Sequence, residues 1–206
     1  MRTLTVCFIM LALPAALFAA CTAQQQTVGG EPVVVLENDL VRVTVAPMRG
    51  GQISDLVAKA TGKHLCAEET GLFVDRVWNY DDPEIYNQWA KLPYEFKLKG
   101  GGADAAVELT RRGNGDVAGR MIIHKTFSLT DGSAAIRADY RFEIAQEAMA
   151  PMRIGMWFHG RPGVRGEKST FYLPSDGQVQ EIAYGAGAKG QYWWYQPERG
   201  WLAARG

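Results

Sequence analysis

The sequence predicts an all-β fold, an antiparallel β-sandwich, on three observations. Many short segments alternate apolar and polar residues with a period of two, which is typical of half-buried strands. Clusters of glycine, proline, asparagine and aspartate separate these segments at short intervals. Helical periodicity is almost absent, and only residues 82–90 suggest a turn or two of helix. Many short strands with regular turn signals indicate two packed sheets.

The stretch from Leu36 to Lys63 is the most regular part of the chain, with the sequence LENDLVRVTVAPMRGGQISDLVAKATGK. It predicts three short strands in succession, joined by turns at Asn38-Asp39 and Gly50-Gly51. Asparagine and aspartate tolerate the backbone of a tight turn, and glycine adopts the positive φ that other residues disfavour.

The clearest hairpin spans residues 119–144, with its turn at 131–133. The outward face of its second strand carries charges of both signs, which is typical of a solvated sheet surface. We expect the inward face of the two strands to carry Met121, Ile123, Phe127, Leu129, Ile136, Ala138, Tyr140, Phe142 and Ile144. Further strands are expected at 94–99, 106–111, 153–159, 169–173, 179–184 and 191–195.

The N-terminus predicts export to the bacterial cell envelope. Residues 1–20 have the pattern of a signal peptide, and the segment 17–21, LFAAC, resembles a lipobox in which Cys21 is lipidated after cleavage. We therefore expect a lipidated Cys21 and polar tether over 21–30, a sandwich domain over 31–206, and a lipid anchor as the only membrane contact. The alternative is cleavage nearby, for instance after Ala23, which would give a soluble periplasmic or secreted protein.

Charge and cysteine content exclude several classes of partner. Lys plus Arg and Asp plus Glu number 22 each, and no basic stripe is present, so nucleic acid is not expected. No spacing of His, Cys and carboxylates suggests a metal site, and no cofactor is expected. The segment with Asp81, Asp82 and Glu84 is either a calcium-binding loop or, more simply, a solvated one. Cys66 is expected to be buried, without a disulfide.

Two stretches resemble the galactose mutarotase-like (aldose 1-epimerase-like) β-supersandwich family. One is residues 36–63; the other is TFSLTDGSAAIRADYRFEI at 126–144 followed by MAPMRIGMWFHG at 149–160. The resemblance covers most of residues 33–160 and implies a supersandwich and a carbohydrate partner. In that family the second stretch ends in a histidine that faces the sugar, and His159 matches it. Because full members are longer, we expect a truncated or shortened member.

The same resemblance favours binding over catalysis. Mutarotases move protons at the anomeric centre with a carboxylate and an imidazole. The segment 76–96 contains no histidine where the family has an "HGG"-type segment, and no late catalytic glutamate is identified. His159 is therefore the one candidate catalytic residue. If the protein is an enzyme, the resemblance implies an aldose 1-epimerase-like isomerase.

Aromatic residues provide the better signal for carbohydrate binding, because flat rings stack on pyranose faces. They cluster at residues 78–89, at 192–195, and at Trp157 beside His159, with core filling as the alternative. Arg76 and Arg153 suit a uronic acid carboxylate, although pairing with a local acid is more common. The predicted substrate-binding residues are His159, Trp157, Arg76, Trp78, Tyr80, Trp89 and His124.

The remaining histidines have simpler interpretations. His124 lies on the polar face of its strand, where a hydrogen-bonded structural role is the alternative to binding. His64 follows the Thr61-Gly62 turn and is expected at the surface.

Three functions follow from these observations. The leading hypothesis is an envelope or periplasmic carbohydrate-recognising protein with a mutarotase-like sandwich. The second is a sugar epimerase or other carbohydrate-active enzyme whose catalytic residues lie partly beyond this chain. The third is a structural envelope lipoprotein that uses its sandwich for protein contacts.

Overall fold

A computed structural model describes residues 21–66, 71–78, 88–115, 118–144, 155–159, 169–175, 177–184 and 203–205. The strands are β1 Thr22–Val28, β2 Glu31–Glu37, β3 Val41–Ala46, β4 Gln52–Ala58, β5 Lys63–His64, β6 Val74–Trp78, β7 Glu95–Gly100, β8 Asp104–Arg112, β9 Met121–Thr130, β10 Ile136–Ile144, β11 Gly155–His159, β12 Ser169–Ser175, β13 Gln178–Tyr184 and β14 Ala203–Arg205. A short helix, α1, spans Gln88–Lys91, and a 3₁₀ turn spans Ala118–Arg120.

The strands form antiparallel sheets, which confirms the predicted all-β sandwich. One sheet has five strands in the order β1-β2-β3-β4-β5, and a second has four in the order β10-β9-β8-β7. A two-stranded sheet pairs β11 with β6, and a three-stranded sheet has the order β13-β12-β14. Within the described residues, no helix is both long and apolar enough to cross a membrane.

The core lies between the five-stranded and four-stranded sheets, where each contributes alternate residues of its strands. The first sheet contributes Val34, Leu36, Val43, Val45 and Ile53, and the second contributes Val107, Leu109, Ile123, Phe127 and Leu129. All of these side chains are at most 1% exposed. The alternation predicted for residues 121–129 is therefore confirmed, because its apolar members are all buried.

Asn38, in the first predicted turn, ties the two sheets together. Its Oδ1 accepts from the backbone N–H groups of Leu40 and Val41, both at 2.9 Å. Its Nδ2 donates to the backbone oxygen of Thr130 at 2.9 Å, at the end of β9, and to that of Ser133 at 2.8 Å, in the turn that follows. The amide is almost fully buried and uses its two donors and its acceptor oxygen fully, so it shapes one turn and holds another.

The second predicted turn depends on glycine for both backbone and space. Gly50 and Gly51 have φ of 69° and 54°, which confirms the predicted positive φ. A Cβ at Gly50 would lie 2.3 Å from the backbone oxygen of Ala90 in α1. A Cβ at Gly51 would approach the Lys125 side chain at 3.0 Å. The turn is thus packed between α1 and β9: a side chain at Gly50 would clash with the α1 backbone, and one at Gly51 would displace the Lys125 side chain.

Two segments differ from the sequence-based expectation. Residues 22–28, predicted as part of a polar tether, form β1 and pair with β2 from Thr22↔Glu37 to Val28↔Glu31. Backbone hydrogen bonds need no side-chain periodicity, which is why the polar sequence TAQQQTV did not predict a strand. Residues 74–78 form β6, where the adjacent charged residues Asp75 and Arg76 interrupt the apolar alternation that strands usually show.

The far end of β10 also differs from expectation. Phe142 and Ile144, predicted on the buried face, are 44% and 50% exposed. Among the described strands β10 is the outermost of its sheet, so its inner face is less covered than that of β9. The predicted strand at 191–195 lies outside the described residues.

Candidate functional site

A fully buried ion pair joins β6 to β9. Lys125 Nζ donates to Asp75 Oδ2 at 2.7 Å and to the backbone oxygen of Gly50 at 2.9 Å. The hydroxyl of Tyr94 donates to Asp75 Oδ2 at 2.9 Å, and that of Tyr140 donates to Oδ1 at 3.0 Å. Both charged side chains are 0% exposed. We call these five residues the Asp75–Lys125 cluster.

Burial governs the protonation of this cluster. Desolvation lowers the pKa of Lys125, and the adjacent Asp75 carboxylate opposes that shift. Desolvation, with Asp75 as the second cause, raises the pKa of both Tyr94 and Tyr140 well above the ordinary range. The two phenols therefore remain hydroxyl donors at any physiological pH. The Lys125 ammonium also lies 4.6 Å from the centre of the Tyr94 ring, a favourable cation–π distance.

The Asp75–Lys125 cluster is structural in character, because its charges are satisfied and closed to solvent. Sequence analysis did not identify it. The available signal was Lys125 itself, which occupies an inward position in the alternation of β9 between Ile123 and Phe127. A lysine at such a position predicts a buried counter-ion, but nothing in the sequence indicates that Asp75 supplies it.

A second polar cluster lies on the outward face of the four-stranded sheet. Thr110, His124 and Arg141 are paired in register across β8, β9 and β10. His124 Nδ1 lies 3.1 Å from the Thr110 hydroxyl, and Nε2 lies 3.0 Å from Glu143 Oε2. Arg141 Nη1 donates to the same carboxylate oxygen at 2.9 Å. We call these four residues the His124 cluster.

The hydrogen-bond chemistry of the His124 cluster follows from its carboxylate. A carboxylate only accepts, so the Nε2–H of His124 donates to Glu143; in the neutral ring Nδ1 then accepts from the Thr110 hydroxyl. The bond from His124, followed by that from Arg141, lowers the pKa of Glu143. Both ring nitrogens of His124 are thus occupied, which matches the structural alternative considered for this residue.

The backbone register of β6 and β11 brings together residues far apart in the sequence. Arg76 pairs with Trp157, Val74 with His159, and Trp78 with Gly155. Asp75 pairs with Phe158 on the alternate positions. We call the positions of Arg76, Trp78, Trp157 and His159 the β6–β11 ladder; they share one side of this sheet, opposite to that of Asp75. The side chains of Trp78 and of 155–159 lie outside the described part of the structure.

The described residues do not place Arg76, Trp89 and His124 on one surface. Asp75 and Lys125 point toward each other between their sheets, so their neighbours Arg76 and His124 point away on opposite sides. His124 is therefore separated from the β6–β11 ladder. Trp89 is 0% exposed in α1 and is unavailable for stacking on a ligand.

Other predicted residues have simple outcomes. His64 is exposed, as expected, and its Nδ1 lies 2.9 Å from Asp55 Oδ1. Cys66 is buried, as expected. The described residues contain no group of three His, Cys, Asp or Glu able to hold a metal ion. Tyr80, Arg153 and the segment 81–84 lie outside the described residues.

Comparison with known proteins identifies no family for this chain. No protein-family model matches the sequence, and no curated protein matches it. Among solved structures, a TPR-domain containing protein from Parabacteroides distasonis ATCC 8503 is similar, with 12% identity and a TM-score of 0.49. The match covers 74% of this chain but only 28% of that one. At this identity and score the similarity carries no argument about function.

Proposed function

We propose that this protein recognises carbohydrate in the bacterial cell envelope, on a galactose mutarotase-like sandwich. The observation that carries the proposal is the register of the β6–β11 ladder, in which Arg76 is the cross-strand partner of Trp157. His159 lies two positions along the same strand as Trp157, and Trp78 lies two positions from Arg76. A guanidinium, two indoles and an imidazole are the groups that bind hydroxyls, carboxylates and pyranose faces.

The N-terminal strands support the family assignment. The pattern over residues 36–63 requires strand, turn, strand, glycine turn and strand, and β2, β3 and β4 follow that order. Both glycines of the second turn have the required positive φ. The family relationship is therefore consistent with local structure over this segment, and the carbohydrate partner is inferred from it.

Binding is favoured over catalysis by the position of the carboxylate that lies in β6. Mutarotation needs a carboxylate within reach of the sugar, in addition to an imidazole. Asp75, the carboxylate of β6, occupies the opposite side of that strand and is held by Lys125, Tyr94 and Tyr140. We infer a non-catalytic site comprising Arg76, Trp78, Trp157 and His159, with Tyr80 beside it in the sequence.

The test is calorimetric titration against a panel of neutral and acidic glycans. Replacement of Trp157 or His159 by Ala should weaken binding by roughly threefold to tenfold, the effect expected for one aromatic contact. The matched control is His124→Ala, because that imidazole lies on the opposite outer face and should leave affinity unchanged. Wild-type affinity in His159→Ala would remove this site, and rapid interconversion of anomers by the wild-type chain would overturn the non-catalytic role.

The envelope anchor is part of the same proposal and has a structural consequence. Cys21 is 0% exposed, and its N–H donates to the Gly102 oxygen at 2.8 Å. A lipid on its sulfur does not fit in a closed core, so acylation requires residue 21 to leave that position. Among the described strands β1 lies at the edge of its sheet with residues 24–28 exposed, so its release would break its pairing with β2 and the bridge from Cys21 to Gly102.

Membrane fractionation tests the anchor. Cys21→Ser should move the protein from the membrane fraction to the soluble fraction, because the acylated sulfur is lost. If the substituted protein stays with the membrane after a high-salt wash, the lipoprotein assignment fails.

A further inference from the structure

One of the two edge strands of the four-stranded sheet, β10, has the features of an interface. Among the described strands its single neighbour is β9. Phe142 and Ile144 at its end are 44% and 50% exposed, an unusual exposure for residues on the inward side of a sheet. A strand at the edge of a sheet presents backbone donors and acceptors to any chain that can pair with it.

The charges on the outward face of β10 alternate in sign. In chain order they are Arg137, Asp139, Arg141 and Glu143. Arg137 Nε lies 2.8 Å from Asp139 Oδ2, and Arg141 Nη1 lies 2.9 Å from Glu143 Oε2. Edge strands that avoid self-association commonly carry lysines or other charges that repel an identical strand. An alternating pattern has the opposite property, because it is complementary to itself when the strand is reversed.

We propose that β10 pairs antiparallel with β10 of a second copy of this chain. The two-fold axis passes between the two Tyr140 residues, so each residue i lies opposite residue 280 − i of the other copy. On the outward face this register puts Arg137 opposite Glu143, and Asp139 opposite Arg141. Each of these contacts occurs twice because the interface is symmetric. The two four-stranded sheets join into one sheet of eight strands.

The inward face is compatible with the same register. Ile136 lies opposite Ile144, Ala138 lies opposite Phe142, and the two Tyr140 residues face each other, so the apolar positions match along the whole strand. The exposed Phe142 and Ile144 side chains gain neighbours from the second copy.

Other symmetric registers are penalised by charge. An axis through Asp139 puts Arg137 opposite Arg141, and an axis through Arg141 puts Asp139 opposite Glu143. Like charges directly opposite each other destabilise a strand pair. Because exposed ion pairs contribute little on their own, the charges select the register, while backbone hydrogen bonds and apolar contacts provide the affinity.

The test uses charge reversal, with mass measured by analytical ultracentrifugation over a concentration series. Wild type should dimerise. Asp139→Arg puts like charges opposite Arg141 at two symmetric positions and should raise the dimer dissociation constant roughly tenfold to a hundredfold. Arg141→Asp should do the same through acidic pairs. The matched control is Glu95→Lys, which makes the same change in net charge on the outward face of β7 at the opposite edge of the sheet, and should leave the dimer intact.

Mixing the two variants gives the decisive result. An equimolar mixture of Asp139→Arg and Arg141→Asp should recover a heterodimer, because each copy then supplies the charge that the other lacks. Recovery also shows that both variants are folded. A monomeric wild type at the highest concentration, a mixture that remains monomeric, or equal dissociation constants for Asp139→Arg and Glu95→Lys would each overturn the proposal.

Discussion

Replacing Lys125 with Met tests whether the buried ion pair holds β6 against β9. Methionine keeps most of the side-chain volume but removes the ammonium, which donates to Asp75 Oδ2 at 2.7 Å and to the Gly50 oxygen at 2.9 Å. Asp75 keeps the hydroxyl donors of Tyr94 and Tyr140 but loses its only counter-ion in the cluster. Removing one partner of a buried ion pair typically costs about 3–5 kcal/mol. We expect Lys125→Met to fall in that range, because the Gly50 carbonyl also loses its hydrogen-bond donor.

Urea unfolding followed by circular dichroism measures this loss of stability directly. Lys97→Met is the matched control, because Lys97 is an exposed lysine in β7 of the same sheet and should change the unfolding free energy by about 0.5 kcal/mol or less. The double variant Asp75→Asn with Lys125→Met removes both charges and should be more stable than Lys125→Met alone. Equal unfolding free energies for Lys125→Met and Lys97→Met would refute the structural role of the pair.

Three further changes probe the turns and the His124 cluster. Gly50→Ala should lower the unfolding free energy by about 3 kcal/mol or more. The control Gly62→Ala should lower it by only about 1–2 kcal/mol, because Gly62 has a similar φ but no atom within 4 Å of an added Cβ. Equal losses would show that the contact between Gly50 and α1 does not matter. Asn38→Ala should lower the unfolding free energy measured in urea by about 2–3 kcal/mol, because four hydrogen bonds of a buried amide disappear, and a loss near zero would contradict the cross-sheet link. The pKa of Glu143 is lowered in the folded state, so the stability that its carboxylate contributes is present above its ordinary pKa of 4.5 and is lost as the pH falls through the lower folded value. The melting temperatures of wild type and Glu143→Gln should therefore converge in acid. A difference that stays constant with pH would contradict this.

The strands that could be predicted are those whose alternating apolar and polar side chains indicate an extended backbone. Along β9 every second residue is apolar or, at Lys125, inward-facing, so its existence and its buried face were both predictable. β1 could not be predicted, because its polar residues obtain their stability from backbone pairing with β2. β6 was equally hidden, since Asp75 is buried by a partner fifty positions away and a single sequence carries no record of such a partner.

The candidate site was predictable only in part, for the same reason. Period-two alternation states which residues share a side of their own strand, such as Trp157 and His159. It does not state which sheet lies across from a strand. His124 and Arg76 were therefore grouped together by residue type, whereas the sandwich directs them to opposite outer faces.

The Asp75–Lys125 cluster relates the proposed ladder to the proposed interface. Asp75 lies on β6 next to the ladder position Arg76, and it accepts from Tyr140, the residue at the proposed two-fold axis. The Tyr140 ring stacks at 6.2 Å on that of Phe142, which pairing of two copies would cover. One hydrogen bond, from the Tyr140 hydroxyl to Asp75 Oδ1, therefore links the strand of the proposed interface to the strand of the proposed ladder. Because Lys125 and Tyr94 also hold that carboxylate, we expect pairing of two copies through β10 to leave the position of β6 unchanged.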